Sequence, residues 1–314
     1  MEAALQTTPR PAASEPIPDF AAVTLNPEQQ ELKQLLNRQI PELCTELPPA
    51  ISSSAILYVT RYVAGGGLER FVNLFDKYYA PAWTPLYYLY HEIPDRSDLL
   101  EPALKAQALA MFLHLFDDHL VDGELPLDHV ALQLRTVAFD RFTRHTNTVA
   151  ARVRGGERIA AELLDEYFTG VTAPPSASLD EYTANFRQQM ATWTIQPYLA
   201  ALPRGTEFAH HLRAAYEAFG IAWRFLDDLR DAREDAARGE RTAVYLALIA
   251  DGREAWDRGD MDEVAHAMKR DDTRGRMLAL IHEYMERAAS TAREIGLEEL
   301  AYEFETMVGN LSFE

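Results

Sequence analysis

Apolar residues recur at helical spacing along nearly the whole chain after residue 25. The first such stretch opens with Asn26-Pro27 before EQQELKQLL, which supplies a helix N-cap and a proline at the first helical position. Alternation of period two is absent and the β-branched runs are short, so the sequence offers little from which to build a sheet. The pattern predicts an all-α fold with helices near residues 27–47, 50–63, 68–79, 82–92, 98–122, 126–148, 155–170, 178–201, 206–238, 241–250, 260–270, 273–295 and 297–309.

The breaks between these helices are short. ELPLD, TAPPSAS and LPRGT each span a few residues, and no shift in composition marks a linker. We therefore predict one helical domain over residues 26–314. Residues 1–25 combine proline, alanine, serine and threonine without periodicity, which is typical of a disordered or loosely packed tail.

Composition and charge narrow the classes of partner. The 314 residues are 47% hydrophobic, which is ample for a buried core. The net charge of −19 disfavours nucleic acid and anionic membranes, because both reward an excess of Lys and Arg. Cys44 is the single cysteine, so no disulfide or zinc cluster can form within one chain. Without a signal-like N-terminus or a run of about 18 apolar residues, we expect a cytoplasmic protein with no stable membrane insertion.

The first unusual stretch is LFDDHLVDGE, residues 115–124, where three aspartates stand among apolar residues. Asp118 and Asp122 share a helix face, and Asp117 can reach round to join them. This is the C-terminal end of a predicted helix and therefore the negative end of its dipole, where carboxylates need a compensating cation. A solvated helix end is the simpler interpretation, but the apolar MFLHLF just upstream indicates a buried helix.

A second acidic cluster lies in FGIAWRFLDDLRDAREDAARGERTAVYL, residues 219–246. Asp227, Asp231 and Asp235 recur every four residues along one helix face, and Asp228 lies close to the same stripe. An ordinary surface helix pairs acids with bases at this spacing. Acid following acid costs free energy unless a ligand compensates.

The two clusters together predict facing carboxylate walls around divalent cations. Oxygen ligands select hard cations, and Mg²⁺ characteristically binds one or two carboxylates while substrate phosphates supply further ligands. A diphosphate bridged to Mg²⁺ also balances the charge of two acidic helices. The expected metal ligands are Asp117, Asp118, Asp122, Asp227, Asp231 and Asp235, with Asp228 as a further catalytic residue.

The two motifs resemble those of the class I isoprenoid synthases, the all-α family of trans-prenyl diphosphate synthases, class I terpene cyclases and squalene/phytoene synthases. DDHLVD is similar to their aspartate-rich DDxxD, with one residue more before the last aspartate. GIAWRFLDDLRDAREDAARGE is similar to the prenyl synthase pattern in which a glycine leads to a DDxxDxxxD run that closes on a second glycine. The same span also resembles the second motif of phytoene synthases. The resemblance covers residues 50 to 310.

This resemblance implies a single-domain helical bundle around a central active-site cavity, with three Mg²⁺ ions as cofactor. The ions hold the diphosphate of an allylic substrate, which ionises to an allyl cation where water is excluded. Aromatic side chains would stabilise the migrating charge. The cavity candidates are Trp83, Tyr87, Phe112, Phe116, Trp193, Phe219 and Trp223.

The candidates for binding diphosphate are Arg187 and the arginines around the second acidic cluster, and three of these six are preferred: Arg187, Arg224 and Arg241. The other three are Arg230, Arg233 and Arg238. Arg187 lies roughly where terpene cyclases carry a diphosphate-sensing arginine, and Arg224 precedes the second motif where prenyl synthases usually have glutamine. Arg241 lies in a loop that can close over the leaving group. We set His114 aside, because a histidine within a helix is more often packed or solvated than a ligand.

One departure from the family pattern bears on the reaction. Elongating prenyl synthases carry a GGKRxR-like stretch whose basic residues bind isopentenyl diphosphate, and the nearest match here has Gly67 and Leu68 at the two cation positions. A second diphosphate therefore has no obvious binding site. This favours a terpene synthase that cyclises or rearranges one linear prenyl diphosphate of C15 or C20 length.

Three alternatives stay open. Head-to-tail elongation and head-to-head coupling are the alternatives within the family. A non-catalytic helical partner subunit is the alternative of another class, and its signature would be loss of the aspartates, which are present. Homodimers are common among the proteins that the chain resembles, but the sequence itself decides no oligomeric state.

Overall fold

A computed structural model describes residues 19–64, 75, 78–91, 97–121, 123, 125–309 and 311, with the backbone alone for residues 60–64 and 97. This part of the chain folds into fourteen α-helices and contains no strand, as the sequence predicts. The helices are α1 (Pro27–Glu46), α2 (Pro49–Ala64), α3 (Thr84–His91), α4 (Ser97–Val121), α5 (His129–Ala150), α6 (Gly156–Val171), α7 (Leu179–Gln189), α8 (Ala191–Ala201), α9 (Thr206–Arg238), α10 (Ala243–Ala247), α11 (Ala250–Asp257), α12 (Met261–Arg270), α13 (Thr273–Glu294) and α14 (Glu298–Val308). Single 3₁₀ turns occupy Ala80–Ala82 and Leu202–Arg204.

The longest helix, α9, is the central element and carries the second acidic cluster. It buries an apolar face that includes Leu212, Phe219 and Leu226, and packs most extensively against α13. It also contacts α7, α8 and α10. The helix ends at Gly239, whose φ of 75° is a left-handed conformation that glycine adopts at no steric cost.

Helix α4 carries the first acidic cluster at its C-terminal end and packs mainly against α5. Its segment Asp98–Val121 is long and apolar enough, by composition alone, to cross a membrane. The most apolar stretch of that segment is 67% buried within the bundle, so the helix serves here as a core element. Burial on nearly all sides explains why its hydrophobicity shows little periodicity.

One predicted helix, residues 178–201, is interrupted in the structure. Met190 separates α7 from α8. Two glycines of neighbouring helices approach this break: a Cβ on Gly170 would lie 2.6 Å from the backbone nitrogen of Gln189, and one on Gly220 would lie 1.9 Å from the Cε of Met190. The missing side chains therefore admit the interrupted backbone between α6 and α9.

Two further predicted elements differ from the structure. The helix expected over residues 241–250 is confined to α10, and residues 250–257 form α11, which the sequence pattern did not predict. The helix expected over 68–79 lies mostly outside the described residues, and Phe75, Tyr78 and Tyr79 within it are not α-helical.

Part of the predicted tail packs on the bundle. Phe20 is 5% exposed and stands edge-on to Tyr79, with 5.1 Å between ring centroids. The backbone N–H of Ala21 donates to the carbonyl of Met307 on α14, at 2.9 Å. Residues 1–18 of the predicted tail lie outside the described residues, so the domain boundary at residue 26 stays a prediction.

Candidate active site

A cavity of about 190 Å³ lies between α4, α7, α8 and α9. We call it the aromatic chamber. The rings of Trp193 and Trp223 lie 5.7 Å apart by centroid, and Tyr78 and Tyr79 stand edge-on to Trp223 at 5.5 and 5.2 Å. The residues that line it are Tyr78, Tyr79, His114, Leu115, Asp118, Phe186, Trp193, Gly220, Trp223, Arg224, Asp227 and Arg230.

A second cavity of about 230 Å³ adjoins the chamber and is mostly acidic. We call it the acidic cleft. The residues that line it are Leu115, Asp118, His119, Arg224, Asp227, Asp228, Asp231, Asp235, Arg238 and Glu240. Asp118 from α4 and Asp227 from α9 line both cavities, so the two predicted acidic helices meet where an apolar space opens into a charged one.

The carboxylates along α9 are harder to ionise than free aspartates, because they are buried and lie close to one another. Burial raises the pKa of Asp227, with Asp228 and Asp118 adding negative charge against the opposing Arg224. Burial also raises the pKa of Asp231, helped by Asp227. The pKa of Asp235 rises to about 7, first through burial and then through Asp228, although Arg238 donates to it at 2.9 Å. Such a cluster favours either protons or a metal ion.

Asp228 has a different environment from the rest of the stripe. It is 2% exposed, and its carboxylate accepts from the Tyr182 hydroxyl at 2.7 Å and from the Ala243 backbone N–H at 2.9 Å. Arg224 forms an ion pair with it at 2.9 Å, and the Arg224 Nε also donates to the Tyr182 hydroxyl at 2.8 Å. Asp228, which we expected to be catalytic, lines the acidic cleft and also holds Arg224 at the cavity wall.

Asp117, an expected metal ligand, lies apart from the other carboxylates of the site. Its carboxylate accepts two hydrogen bonds from Arg135 on α5, from Nε and Nη2 at 2.8 Å each. Asp117 lines neither the aromatic chamber nor the acidic cleft. The neighbouring Asp118 does line both. The third expected ligand of this motif, Asp122, lies outside the described residues, as do Gly67 and Leu68.

Two of the seven aromatic candidates, Trp193 and Trp223, line the chamber. Phe112 and Phe116 are fully buried and stack on each other with centroids 5.1 Å apart, so they are core residues. Phe219 is fully buried behind Trp223. The remaining two do not line the chamber: Trp83 lines another cavity beside the N-terminal segment, and the hydroxyl of Tyr87 donates to Glu28 on α1.

The three preferred arginine candidates also differ in whether they line the cavities. Arg224 lines both cavities and lies 5.8 Å from the ring centroid of Phe186. Arg187 lies on α7, partly buried, and lines neither cavity. Arg241 is exposed and forms an ion pair with Asp257 on α11, at 3.1 Å. It lines neither cavity.

Several chamber residues were not candidates from the sequence. Tyr78 and Tyr79 are the last residues of the helix predicted over 68–79 and are not helical in the structure, and Phe186 lies on α7 of the interrupted helix pair. His114, which we set aside, stands one helical turn before Asp118, so the i, i+4 spacing could have placed both on one face. Arg230, by contrast, was among the candidate arginines; it lines the chamber and forms an ion pair with Asp19 of the N-terminal segment.

The helical bundle has the class I isoprenoid synthase fold. Geranylgeranyl pyrophosphate synthetase from Pyrococcus horikoshii Ot3 superposes with a TM-score of 0.64 at 13% identity, over 91% of this chain and 98% of that one. Polyprenyl synthase from Caulobacter crescentus CB15, complexed with calcium and isoprenyl diphosphate, gives a TM-score of 0.64 at 17% identity, over 89% and 94%. Geranylgeranyl pyrophosphate synthase from Corynebacterium glutamicum ATCC 13032 gives 0.61 at 18% identity, over 90% and 95%.

No protein-family model and no curated protein sequence matches this chain. At 13 to 18% identity, the structural similarity establishes the fold alone. One fold hosts many reactions, so the reaction must be inferred from the site.

Proposed function

We propose that this protein ionises a linear allylic prenyl diphosphate with the help of divalent cations. The observation that carries this proposal is the junction of the two cavities, where Asp118 and Asp227 stand between an aromatic chamber and an acidic cleft. An amphiphilic substrate fits this division, with its apolar chain in the chamber and its diphosphate at the carboxylates.

The donor set suits Mg²⁺. Among the described residues, no three Asp, Glu, His or Cys side chains converge closely enough to hold an ion by themselves. Mg²⁺ does not require such a cage, because it keeps water and substrate phosphates among its ligands. Burial, followed by repulsion between neighbouring carboxylates, raises the pKa values of Asp227, Asp231 and Asp235, which supports a site that a cation would stabilise. With Asp118, these residues would hold the ions, three in our proposal.

Bound Mg²⁺ would act as a Lewis acid that neutralises negative charge on the departing diphosphate. Side chains of the protein supply further positive charge for the diphosphate and aromatic rings for the allyl cation. Arg224, fixed by Asp228 and Tyr182, presents positive charge at the junction, and Arg230 presents a second cation on the chamber wall. Trp193 and Trp223 offer ring faces to the allyl cation, an interaction worth about 2 kcal/mol or more when the cation is desolvated.

The fate of the cation has two candidates. The three structural neighbours are named as prenyl or geranylgeranyl diphosphate synthases, which supports transfer of the allyl group to a second prenyl diphosphate. Head-to-head coupling is a variant of the same outcome. Cyclisation or rearrangement of a single C15 or C20 substrate, as in a terpene synthase, is supported by the aromatic lining of the chamber and by Gly67 and Leu68 at the positions expected for cations.

A product assay by gas chromatography and mass spectrometry distinguishes these fates. The protein is supplied with Mg²⁺ and each of geranyl, farnesyl and geranylgeranyl diphosphate, with and without isopentenyl diphosphate, and products are analysed before and after phosphatase treatment. A longer prenyl chain that requires isopentenyl diphosphate supports transfer, and a hydrocarbon or alcohol from one substrate alone supports a terpene synthase. Absence of any product would favour a non-catalytic partner subunit.

A further inference from the structure

His114 lines the aromatic chamber, and the proposed function does not use its imidazole. It lies on α4 one turn before Asp118, and its ring stands edge-on to Trp193 with 4.7 Å between centroids. Within the described part of the chain, its imidazole nitrogens have no hydrogen-bond partner, in contrast to the two chamber tyrosines. The imidazole thus lies against an aromatic side chain of the chamber without a hydrogen bond that would explain its position.

Transfer to a second prenyl diphosphate and cyclisation to a hydrocarbon both end with the loss of a proton from carbon, so these reactions need a base. Besides the released diphosphate at the carboxylates, the chamber offers few groups that can accept this proton. The Tyr78 hydroxyl donates to the Met111 carbonyl at 2.7 Å, and the Tyr79 hydroxyl donates to Asp19 at 2.5 Å. Phenols are weak bases in any case, because their conjugate acids form only in strong acid. Asp118 and Asp227 are assigned to the cations and stand at the mouth of the chamber.

The protonation state of His114 suits a proton acceptor. Burial lowers the pKa of its imidazolium, and the positive charge of Arg224 acts in the same direction. Asp118 and Asp117 oppose this by attracting positive charge. The ring is therefore neutral near pH 7, while the two carboxylates offset the charge that it acquires when a proton arrives.

We infer that His114 is the general base that removes the final proton from the carbocation in the aromatic chamber. In this step a C–H bond next to the cationic carbon breaks, its electron pair forms the new C=C bond, and the proton moves to a ring nitrogen of His114. The proton returns to solvent when the product leaves. The inference rests on the proposed function, because it needs a carbocation in the chamber.

The test compares His114→Phe, which keeps a ring without a base, with His114→Gln, which keeps polarity without basicity at neutral pH. His145→Gln is the matched control, since His145 on α5 is also partly buried with a lowered pKa but lies outside both cavities. Circular dichroism confirms that each variant is folded. Two quantities are measured for each protein: inorganic diphosphate released from the allylic substrate, and deprotonated organic product.

We expect both His114 variants to keep releasing diphosphate. The amount of deprotonated product per diphosphate should fall by about 100-fold, which is the lower end of the rate enhancement that a general base contributes. The missing product should appear as prenyl alcohol, formed when water captures the cation. The control should keep the wild-type ratio. An unchanged product ratio in both His114 variants, or loss of diphosphate release in both while folded, would overturn the inference. Wild-type protein that releases no diphosphate would instead refute the proposed function beneath it.

Discussion

Asp227 and Asp228 are adjacent in sequence and have different environments. Asp227 lines both cavities, and its raised pKa reflects burial without a protein hydrogen bond that offsets it. Asp228 is almost inaccessible and is bound by Arg224, Tyr182 and the backbone of α10. The pair therefore combines one residue available to a ligand with one that fixes the surrounding helices.

This difference predicts that alanine at position 228 lowers the free energy of unfolding, whereas alanine at position 227 does not. Asp228→Ala leaves Arg224 and Tyr182 without their partner, and removal of one member of a buried ion pair costs about 3–5 kcal/mol. Because the Arg224 side chain is 28% exposed, we expect the lower end of that range. Asp227→Ala removes repulsion and should leave the free energy of unfolding unchanged or raised. Urea unfolding of both metal-free variants measures this, and equal losses would contradict the division.

The sequence could predict the acidic clusters but not which member of each pair faces the site. Spacing alone placed Asp117 and Asp118 together. Their separation follows from Arg135, which lies 18 residues further along the chain and draws Asp117 toward α5. Asp228 still lines the acidic cleft, but its carboxylate is already bonded to Tyr182, 46 residues before it. Such choices depend on which helices become neighbours, and no local pattern contains that information.

At the scale of the element, the stripe on α9 makes stability depend on pH. The pKa of Asp235 is about 7 in the folded chain and about 3.9 when unfolded. Between these values the folded state binds more protons than the unfolded state, so the free energy of unfolding falls as pH rises. Asp227 and Asp231 shift in the same direction.

The matching prediction uses Asp235→Asn and thermal unfolding in the presence of a chelator. Near pH 4 the variant should resemble the wild type, and near pH 8 it should have the higher Tm, because it lacks the repelled charge. Added Mg²⁺ should raise the Tm of the wild type at pH 8 and raise that of the variant less. A wild type that is indifferent to Mg²⁺ at pH 8 would contradict a metal site on α9.

The break between α7 and α8 sets the space available in the chamber. Gly220 lines the chamber, and its missing side chain leaves room for the thioether of Met190. Gly220→Ala should displace that thioether and reduce the chamber volume. We expect a shorter accepted prenyl chain, with a small loss of stability, because overpacking of about 1–3 kcal/mol is partly offset by about 1 kcal/mol of helix propensity.

Combining Gly220→Ala with Met190→Ala should restore the original chain-length preference, since the displaced group is then absent. Relative turnover of geranyl, farnesyl and geranylgeranyl diphosphate measures this preference in the single and double variants. An unchanged preference in the single variant would show that the break does not limit the chamber. The sequence predicted one continuous helix here because the two glycines that permit the break lie on other elements.

At the scale of the whole molecule, a buried carboxylate joins the N-terminal and C-terminal helices. Glu303 on α14 is 3% exposed and accepts from Thr84 at 2.6 Å, from Tyr88 at 2.5 Å and from Gln29 on α1 at 3.3 Å. Burial raises its pKa, and the three donors act in the opposite direction. The contact fixes α1, α3 and α14 together.

Glu303→Ala should lower the free energy of unfolding by about 3 kcal/mol, because it leaves several buried donors unpaired. Glu303→Gln should lose less, since its amide oxygen keeps two acceptor sites and its nitrogen can donate to the Thr84 hydroxyl. Denaturant unfolding of the two variants compares these costs. An alanine variant as stable as the wild type would refute a structural role for this contact.

The all-α architecture was predictable because helical periodicity and caps are local, and the helix order is confirmed across most of the described chain. The chamber was only partly predictable. Trp193 and Trp223 line it, whereas Phe112 and Phe116, equally apolar and equally close to an acidic motif, pack in the core. The direction in which an aromatic residue of a buried helix faces is decided by every surrounding helix, which one-dimensional spacing does not report.

The central claim is that Asp118 on α4 and Asp227 on α9 together hold the cations that ionise a prenyl diphosphate. The most direct measurement is Mg²⁺-dependent release of inorganic diphosphate from the allylic substrates by wild type, Asp118→Ala and Asp227→Ala. Asp140→Ala on α5 is the control, because Asp140 forms only a surface pair with Arg144. We expect release by the wild type and the control, and none by the two site variants, which should remain folded and helical. Release at the wild-type rate by either site variant would contradict the claim.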